Sequence, residues 1–141
     1  MKHIIIFAAL LQAAAILHAN PTGESSGMLT SRDGRTLYTF DKDSAGKSVC
    51  NGGCLAAWPA FTVANPKLVG GDFSIVTRDD GVQQWAFQGK PLYFFAGDAR
   101  PGDANGDNQG GVWHVVRNSA PAKAARNEYD APRSFSSAYS Y

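Results

Sequence analysis

The chain is poor in the residues on which most enzymes and metal sites depend. It has 141 residues but only two Cys, two Met and three His, and two of the His lie within the first 19 residues. His is the side chain used most often for acid–base catalysis at neutral pH and for binding metals. With His114 as the one His beyond that segment, most His-based catalytic and metal-site schemes are excluded.

The sequence also lacks an excess of charge of either sign. Lys2 is the only charged residue among residues 1–19, so removing that segment leaves 12 of the 13 Lys and Arg against 12 Asp and Glu. A net charge near zero provides no electrostatic attraction to nucleic acid or to an anionic membrane. We therefore expect neither as a partner.

Long hydrophobic runs are missing, apart from one at the N-terminus. Lys2 precedes an apolar segment that begins at Ile4, and the small residue Ala19 stands before Asn20-Pro21. The segment is too short to span a bilayer and has the layout of a secretory signal peptide. A buried helix or an anchor is the alternative, but no second apolar run follows. We predict a signal peptide over residues 1–19, a periplasmic or secreted protein, and no membrane insertion after cleavage.

What the chain does contain is a seven-residue motif that occurs twice. Residues 37–43 and residues 92–98 both read Leu-Tyr-x-Phe-x-x-Asp. Side chains two positions apart share one face of a strand, so each Tyr should lie beside its own Phe. Each Asp falls just past the strand, where a carboxylate accepts N–H groups of a turn. The residues of this repeat motif are Tyr38, Phe40, Asp43, Tyr93, Phe95 and Asp98.

The rest of the chain predicts hairpins around these motifs. Two Asp-Gly dipeptides, at residues 33–34 and 80–81, stand between β-prone segments and favour type I′ turns, whose two central residues have positive φ. No window shows apolar residues at helical spacing. We predict one small all-β domain, an antiparallel sandwich or barrel of about six to eight strands, built from repeats at residues 28–61 and 73–117.

The flanks and connections have simpler predictions. Residues 20–27 should be a flexible lead-in, and residues 118–141, rich in Ala, Ser, Pro and Arg, a disordered tail. A short helical turn should follow the Cys pair and stop at Trp58, because Pro59 disfavours helix before it. Residues 91–96 should form a strand that carries the second motif.

Three features together resemble a bacterial family of secreted repeats, also described as predicted lipoproteins with a Yx(FWY)xxD signature. They are the two motif copies, a Cys-x3-Cys followed by Trp58-Pro59, and a Pro-Gly-Asp segment that leads to Gly-Val-Trp. The resemblance covers about residues 28–117 and implies an architecture and an exported location, with no established activity. Many relatives carry a lipid-modified Cys at the cleavage site. None stands near Ala19, so we expect a soluble exported protein.

Cys50 and Cys54 are candidates for a disulfide. Two Cys in an exported chain most often pair with each other, because the compartment is oxidising. A redox role is the alternative, although Cys-x3-Cys differs from the Cys-x-x-Cys of thioredoxin-like proteins. Covalent haem attachment is disfavoured because Leu55, not His, follows Cys54.

Two further groups are candidate metal ligands. Asp103, Asn105 and Asp107 alternate as in the first half of a calcium loop, but the sixth position is not Gly and His114 stands where the last Glu would be. A turn built from Asx side chains is the preferred interpretation. His114 is interpreted as a structural strand residue; near Cys50, Cys54 or Met28 it would be able to bind copper or haem iron.

The aromatic residues are numerous for a small domain and should mostly form its core. A surplus would line a groove for a sugar, a peptide or a planar cofactor. Because no catalytic motif occurs, we predict an exported non-enzymatic binding or structural module, with no cofactor and an unidentified ligand or protein partner. The alternatives are a periplasmic redox or metal-handling (copper or haem) protein and a calcium-stabilised surface or adhesion-type domain.

Overall fold

A computed structural model describes residues 20–117. The predicted signal peptide, residues 1–19, and the predicted tail, residues 118–141, lie outside the described residues. Within the described range, no helix has the length and apolar character needed to cross a membrane.

The described residues form seven short strands and one short α-helix. The strands are β1 (Thr22–Ser25), β2 (Met28–Ser31), β3 (Tyr38–Phe40), β4 (Phe73–Thr77), β5 (Gln83–Phe87), β6 (Lys90–Pro91) and β7 (Trp113–Val115). The α-helix, α1, spans Gly53–Ala57, and 3-10 helices span Pro66–Leu68 and Gln109–Gly111. All pairings between these strands are antiparallel, which confirms the predicted all-β class.

The strands form three small sheets that isolated bridges connect. The sheets have the orders β1-β2, β3-β7 and β4-β5-β6. Bridges from Met28 to Arg117 and from Tyr38 to Tyr93 connect neighbouring sheets, and a bridge from Tyr93 to Ala60 adds a segment outside the sheets. The domain is therefore held together as much by single pairings between segments as by long ladders.

The two repeats are interleaved. Strand β3, from the first motif copy, pairs with β7 at the end of the second repeat. The second copy pairs in the same way with the end of the first repeat, since the Phe94 N–H donates to the Pro59 carbonyl at 2.7 Å and the Phe61 N–H to the Leu92 carbonyl at 2.9 Å. The repeats are thus related by a pseudo-two-fold axis, and each completes the other's sheet.

The hairpin turns differ from the predicted ones. Type I′ geometry, with two successive residues at positive φ, occurs at Ser26-Gly27 and Gln88-Gly89. At the two Asp-Gly dipeptides only Gly34 and Gly81 have positive φ. Each closes a three-residue loop, since the Gly34 N–H donates to the Ser31 carbonyl. The type I′ prediction at Asp-Gly is wrong because each of these loops contains three residues, whereas a type I′ hairpin loop contains two.

Two segments also differ from prediction. Residues 22–25 form β1 and pair with β2, in place of a flexible lead-in, because the Ser26-Gly27 turn folds them back. Of the predicted strand at residues 91–96, only Pro91 lies in a regular strand, β6 (Lys90–Pro91). Beyond it, Tyr93 pairs with different partners on its two sides, so no single ladder continues.

Alternation of side chains divides the core into two clusters. Adjacent residues of each motif face opposite ways, so the two Leu enter one cluster and the two Tyr enter the other. The buried members of the first cluster are Leu29, Leu37, Phe73, Trp85, Leu92 and Val116. Those of the second are Tyr38, Cys50, Trp58, Tyr93, Trp113 and Val115. The second cluster thus contains both motif tyrosines and one of the two cysteines.

Candidate functional site: the paired motifs and their clefts

The two motif tyrosines meet at the pseudo-two-fold axis. Each backbone N–H, of Tyr38 and of Tyr93, donates to the carbonyl of the other at 2.9 Å. Both side chains are fully buried, with 0% of their surface exposed. Equivalent residues of the two repeats therefore have equivalent surroundings.

The motif carboxylates are exchanged between the repeats. The Tyr38 hydroxyl donates to Oδ2 of Asp98 at 2.6 Å, and the Tyr93 hydroxyl donates to Oδ2 of Asp43 at 2.6 Å. Each Tyr is thus bonded to the Asp of the other repeat. The motif by itself predicted only that a Tyr and an Asp occur together, because nothing in one copy indicates which Asp faces which Tyr.

The second oxygen of each carboxylate binds a loop, as the position after the strand predicts. Oδ1 of Asp43 accepts the Val49 N–H at 2.8 Å, and Oδ1 of Asp98 accepts the Asn105 N–H at 2.9 Å. Each Asp therefore joins a loop of its own repeat to the Tyr of the other repeat.

Burial makes these hydroxyls very weak acids. Burial, and then the hydrogen bond to Asp43, raise the pKa of Tyr93 to about 12. The pKa of Tyr38 is raised further, by burial and by Asp98. Burial also raises the pKa of Asp43, opposed by the Tyr93 hydroxyl and the Val49 N–H. The tyrosines are therefore protonated donors at neutral pH, which suits a structural bond and not nucleophilic attack.

A buried arginine extends the network on one side, and sequence reasoning missed it. Arg78 is 4% exposed. Its Nη1 donates to Ser48 Oγ and to Gln84 Oε1, both at 2.7 Å, and its Nη2 donates to the Cys50 carbonyl and to Asn51 Oδ1. The available signal was its position two residues after the buried Val76, which continues the inward-facing alternation just past the end of β4.

Two hydroxyls connect this arginine to a motif carboxylate. Ser48 Oγ lies 2.5 Å from the Tyr93 hydroxyl, which donates to Asp43. The Nε atom of Arg78 is buried without a hydrogen bond and lies 3.6 Å from Oδ2 of Asp80. A buried cation is costly without such partners, so the network fixes the loop of residues 48–51 against β4.

Four aromatic rings stack in a row beside the tyrosines, and we call this row the aromatic ladder. Its centroid separations are 4.1 Å for Phe40 to Trp113, 3.9 Å for Trp113 to Trp58 and 4.5 Å for Trp58 to Phe95. The motif Phe residues stand at its ends and the Trp residues at its centre. The ladder therefore alternates between the repeats, and neither repeat alone completes it.

Each end of the aromatic ladder opens into a cleft. The first cleft, of about 230 Å³, is lined by Asp33, Arg35, Thr36, Phe95, Asp98, Ala99, Arg100 and Pro101. The second cleft, of about 210 Å³, is lined by Thr39, Phe40, Asp41, Asp43, Ser44, Ala45, Gln88, Gly89, Lys90 and Pro91. Each cleft combines the Phe and Asp of one motif with the residues that precede the other motif, so the two are equivalent by the pseudo-symmetry.

The two cysteines form a disulfide, with a Cα–Cα distance of 5.3 Å. Cys50 is buried in the second core cluster, and Cys54 lies at the start of α1. At the equivalent place in the second repeat, the Gln109 side chain donates to the Asn105 carbonyl at 3.3 Å. A covalent link in one repeat thus corresponds to a hydrogen bond in the other.

The carboxylates of the candidate calcium loop bind backbone N–H groups. Oδ2 of Asp103 accepts the N–H groups of Ala99 and Arg100 at 3.1 and 3.0 Å, and Oδ1 of Asp107 accepts that of Val115 at 3.1 Å. The Asn105 side chain, the third candidate, donates to a backbone carbonyl at 3.4 Å. This geometry favours the Asx-turn interpretation.

His114 lies apart from the cysteines. Its Nε2 is 2.8 Å from Oδ2 of Asp41 at the surface. On β7 it points away from the face of Trp113, which packs in the same cluster as Cys50. Within residues 20–117, no three His, Cys, Asp or Glu side chains are grouped so as to hold a metal ion.

The geometry defines a class of protein, a β domain made from two interleaved copies of one motif. The profile of a family described as a secreted repeat of unknown function matches residues 23–62 and, a second time, residues 74–117. The chain belongs to this family of secreted repeats, which confirms the predicted family and exported location. No curated protein and no solved structure matches the chain.

Proposed function

We propose that this secreted repeat protein is a non-enzymatic binding or structural module. The observation that carries the proposal is the exchange of Tyr–Asp hydrogen bonds between repeats, Tyr38 to Asp98 and Tyr93 to Asp43. The side chains with most catalytic potential are occupied in holding the two repeats together. What remains for a partner is the surface, including the two clefts at the ends of the aromatic ladder.

The charged groups near the clefts support binding better than catalysis. The Asp41–His114 pair is exposed at the surface, where water screens it. Covalent catalysis requires a nucleophile held against a base in an enclosed site. The hydroxyls with such a position, those of Tyr38 and Tyr93, are buried and bound to carboxylates. This arrangement supplies rigidity, which favours a preorganised binding surface.

The alternative functions need groups that are differently placed. A copper or haem site built on Cys50, Cys54 and His114 would require the disulfide to open and His114, which points to the opposite face of β7 from Trp113, to reach the cysteines. A calcium-stabilised adhesion-type domain would require Asp103 and Asp107 to give up backbone N–H groups. Each change has a cost that the binding-module proposal does not carry.

Elemental analysis of protein purified from the exported fraction of its native cells tests the proposal. We expect less than stoichiometric calcium, copper and iron, no visible absorption band, and no free thiol by Ellman titration before reduction. Calcium at one equivalent, lost with a drop in melting temperature on chelation, would favour the calcium alternative. Copper or iron at one equivalent would favour the metal-handling alternative and overturn the proposal.

A further inference from the structure

We propose that the first cleft, between Arg35 and Phe95, binds one uncharged sugar ring of a glycan. This inference rests on the proposed function, because it gives a ligand class to one surface of the binding module.

The wall of the cleft is a rigid aromatic ring. Phe95 is partly buried, and it stacks on Trp58 with a centroid separation of 4.5 Å. The backbone of Gly97 and Gly106 lies so close to the ring that a Cβ on either residue would be within 3 Å of it. A fixed aromatic surface suits the flat, C–H-bearing face of a pyranose, because binding costs no rearrangement.

The polar groups are balanced in charge. Two basic residues, Arg35 and Arg100, and two acidic residues, Asp33 and Asp98, line the cleft. A free anion would meet both carboxylates, and an apolar ligand would offer no hydrogen bond to any of the four charged groups. Planar guanidinium and carboxylate groups each offer paired donors or acceptors. Adjacent hydroxyls of an uncharged sugar satisfy both kinds.

Two of these groups are held in place before any ligand binds. Arg35 lies over the Phe94 ring at 4.0 Å, and Asp98 accepts the Tyr38 hydroxyl and the Asn105 N–H. The cleft has a volume of about 230 Å³. That is below the range of roughly 300–1,000 Å³ typical of pockets for drug-sized ligands, so it has room for a single small polar unit.

Comparison with the second cleft separates the features common to both repeats from those particular to the first cleft. It keeps the aromatic wall, as Phe40, and one cation, Lys90 in place of Arg35. Ala45 stands where the first cleft has Arg100, and Gln88 where it has Asp33. The guanidinium of Arg100 and the carboxylate of Asp33 therefore have no counterpart at the equivalent positions of the second cleft, which serves as an internal control.

Nuclear magnetic resonance of the full chain, labelled with ¹⁵N, tests the inference. The probes are the methyl glycosides of glucose, galactose, mannose and N-acetylglucosamine, with glucuronate and sulfate as charged arms. We expect at least one uncharged glycoside to shift the amides of residues 33–36 and 98–100 in a saturable way. Arg100→Ala and Asp33→Asn, both at exposed positions, should each weaken that binding at least about tenfold, the effect of losing a polar contact to the ligand. Lys90→Ala, in the second cleft, should leave it unchanged.

The inference is overturned if none of the four uncharged glycosides shifts these amides. It is equally overturned if only glucuronate or sulfate does, or if both first-cleft variants bind like the parent protein. The sugar titration and the elemental analysis are independent measurements. A protein that contains no metal and binds none of the sugars would therefore refute the ligand class alone. A stoichiometric metal would refute the proposed function whatever the sugar result.

Discussion

Four side chains, two Tyr and two Asp, make the joint between the repeats. Each hydroxyl is buried and each carboxylate is the acceptor of both a hydroxyl and a backbone N–H. A hydrogen bond to a charged group contributes more than one between neutral groups, and its buried partner is costly to leave unpaired. At the scale of single residues, stability should therefore depend on which Tyr is combined with which Asp.

A double-mutant cycle tests this exchange. Tyr38→Phe and Asp98→Asn should each lower the free energy of unfolding by about 1–3 kcal/mol, and their combination should cost less than the sum. The matched control is Tyr38→Phe with Asp43→Asn, a pair within one repeat that shares no hydrogen bond, which should be closer to additive. Urea unfolding measures both cycles. Stronger coupling within the repeat than across it would contradict the structure.

The same tyrosines predict a loss of stability at high pH. The pKa of Tyr93 is raised from its ordinary value near 10 to about 12. Below pH 10 its contribution is fully present, because both states keep the proton. Between pH 10 and 12 only the unfolded state loses it, so the free energy of unfolding should fall by about 1.4 kcal/mol per pH unit for this residue.

Chemical denaturation between pH 8 and pH 12 measures that slope. Tyr93→Phe should be less stable at pH 8. Its free energy of unfolding should decline less steeply above pH 10, because the variant has no phenol at position 93 that can lose a proton. An unchanged slope in the variant would mean that Tyr93 titrates normally in the folded state.

At the scale of elements, the loop of residues 97–107 is packed against the aromatic ladder. Gly106 is the closest point, since its N–H donates to the Tyr38 hydroxyl at 3.3 Å. A Cβ there would lie 2.7 Å from Cη2 of Trp58 and 2.9 Å from Cγ of Phe95. Trp58 is stacked between Trp113 and Phe95, so it cannot move aside without disturbing a stacking contact.

Gly106→Ala should therefore destabilise the protein by about 1–3 kcal/mol through overpacking. The control is Gly53→Ala, in α1, where a Cβ would meet nothing within 4 Å. That change should stabilise the protein by roughly 0.5–1 kcal/mol, because Ala loses less backbone entropy in a helix than Gly. Thermal or urea unfolding compares the two. Equal effects of the two substitutions would show that the loop can move away from the ladder.

At the scale of the whole molecule, neither repeat is a complete folding unit. Strand β3 pairs with β7, both tyrosines bond to the opposite repeat, and the aromatic ladder alternates between the two. A single repeat would expose its half of the ladder and leave its strand edge unpaired. The connection between the repeats, residues 63–72, adds only the short 3-10 helix Pro66–Leu68 to the described structure.

Two fragments, residues 20–66 and residues 67–117, test this interleaving. Each alone should show no cooperative unfolding, and mixing them should restore it. The readout is near-ultraviolet circular dichroism, because Trp58 and Trp113 stack at 3.9 Å and come from different fragments. Their coupled signal should appear only in the mixture. A cooperative transition in either isolated fragment would refute the mutual dependence of the repeats.

Local patterns in the sequence were sufficient to predict the all-β class and to predict which residues of the motif share a face of the strand. Alternation separates Leu37 from Tyr38 and Phe94 from Phe95, because adjacent strand residues always face opposite sides. The position of each Asp after its strand likewise predicted its bond to a loop N–H. Composition and an oxidising compartment favoured the disulfide that the structure contains.

Other features depended on contacts between distant parts of the chain. Type I′ turns form at Ser26-Gly27 and Gln88-Gly89, because strand register, set by pairing, selects the loop length. The burial of Arg78 depends on acceptors from residues 48–51 and Gln84, which no local pattern reveals.

An exported β domain with a duplicated motif could be predicted from composition and from neighbours along the chain. The pairing of Tyr38 with Asp98 and of Tyr93 with Asp43 could not, because it depends on how the two repeats pack together. Two identical motifs can pair within or across repeats with the same chemistry. The choice is made by strand pairing that brings residues 60 positions apart into contact.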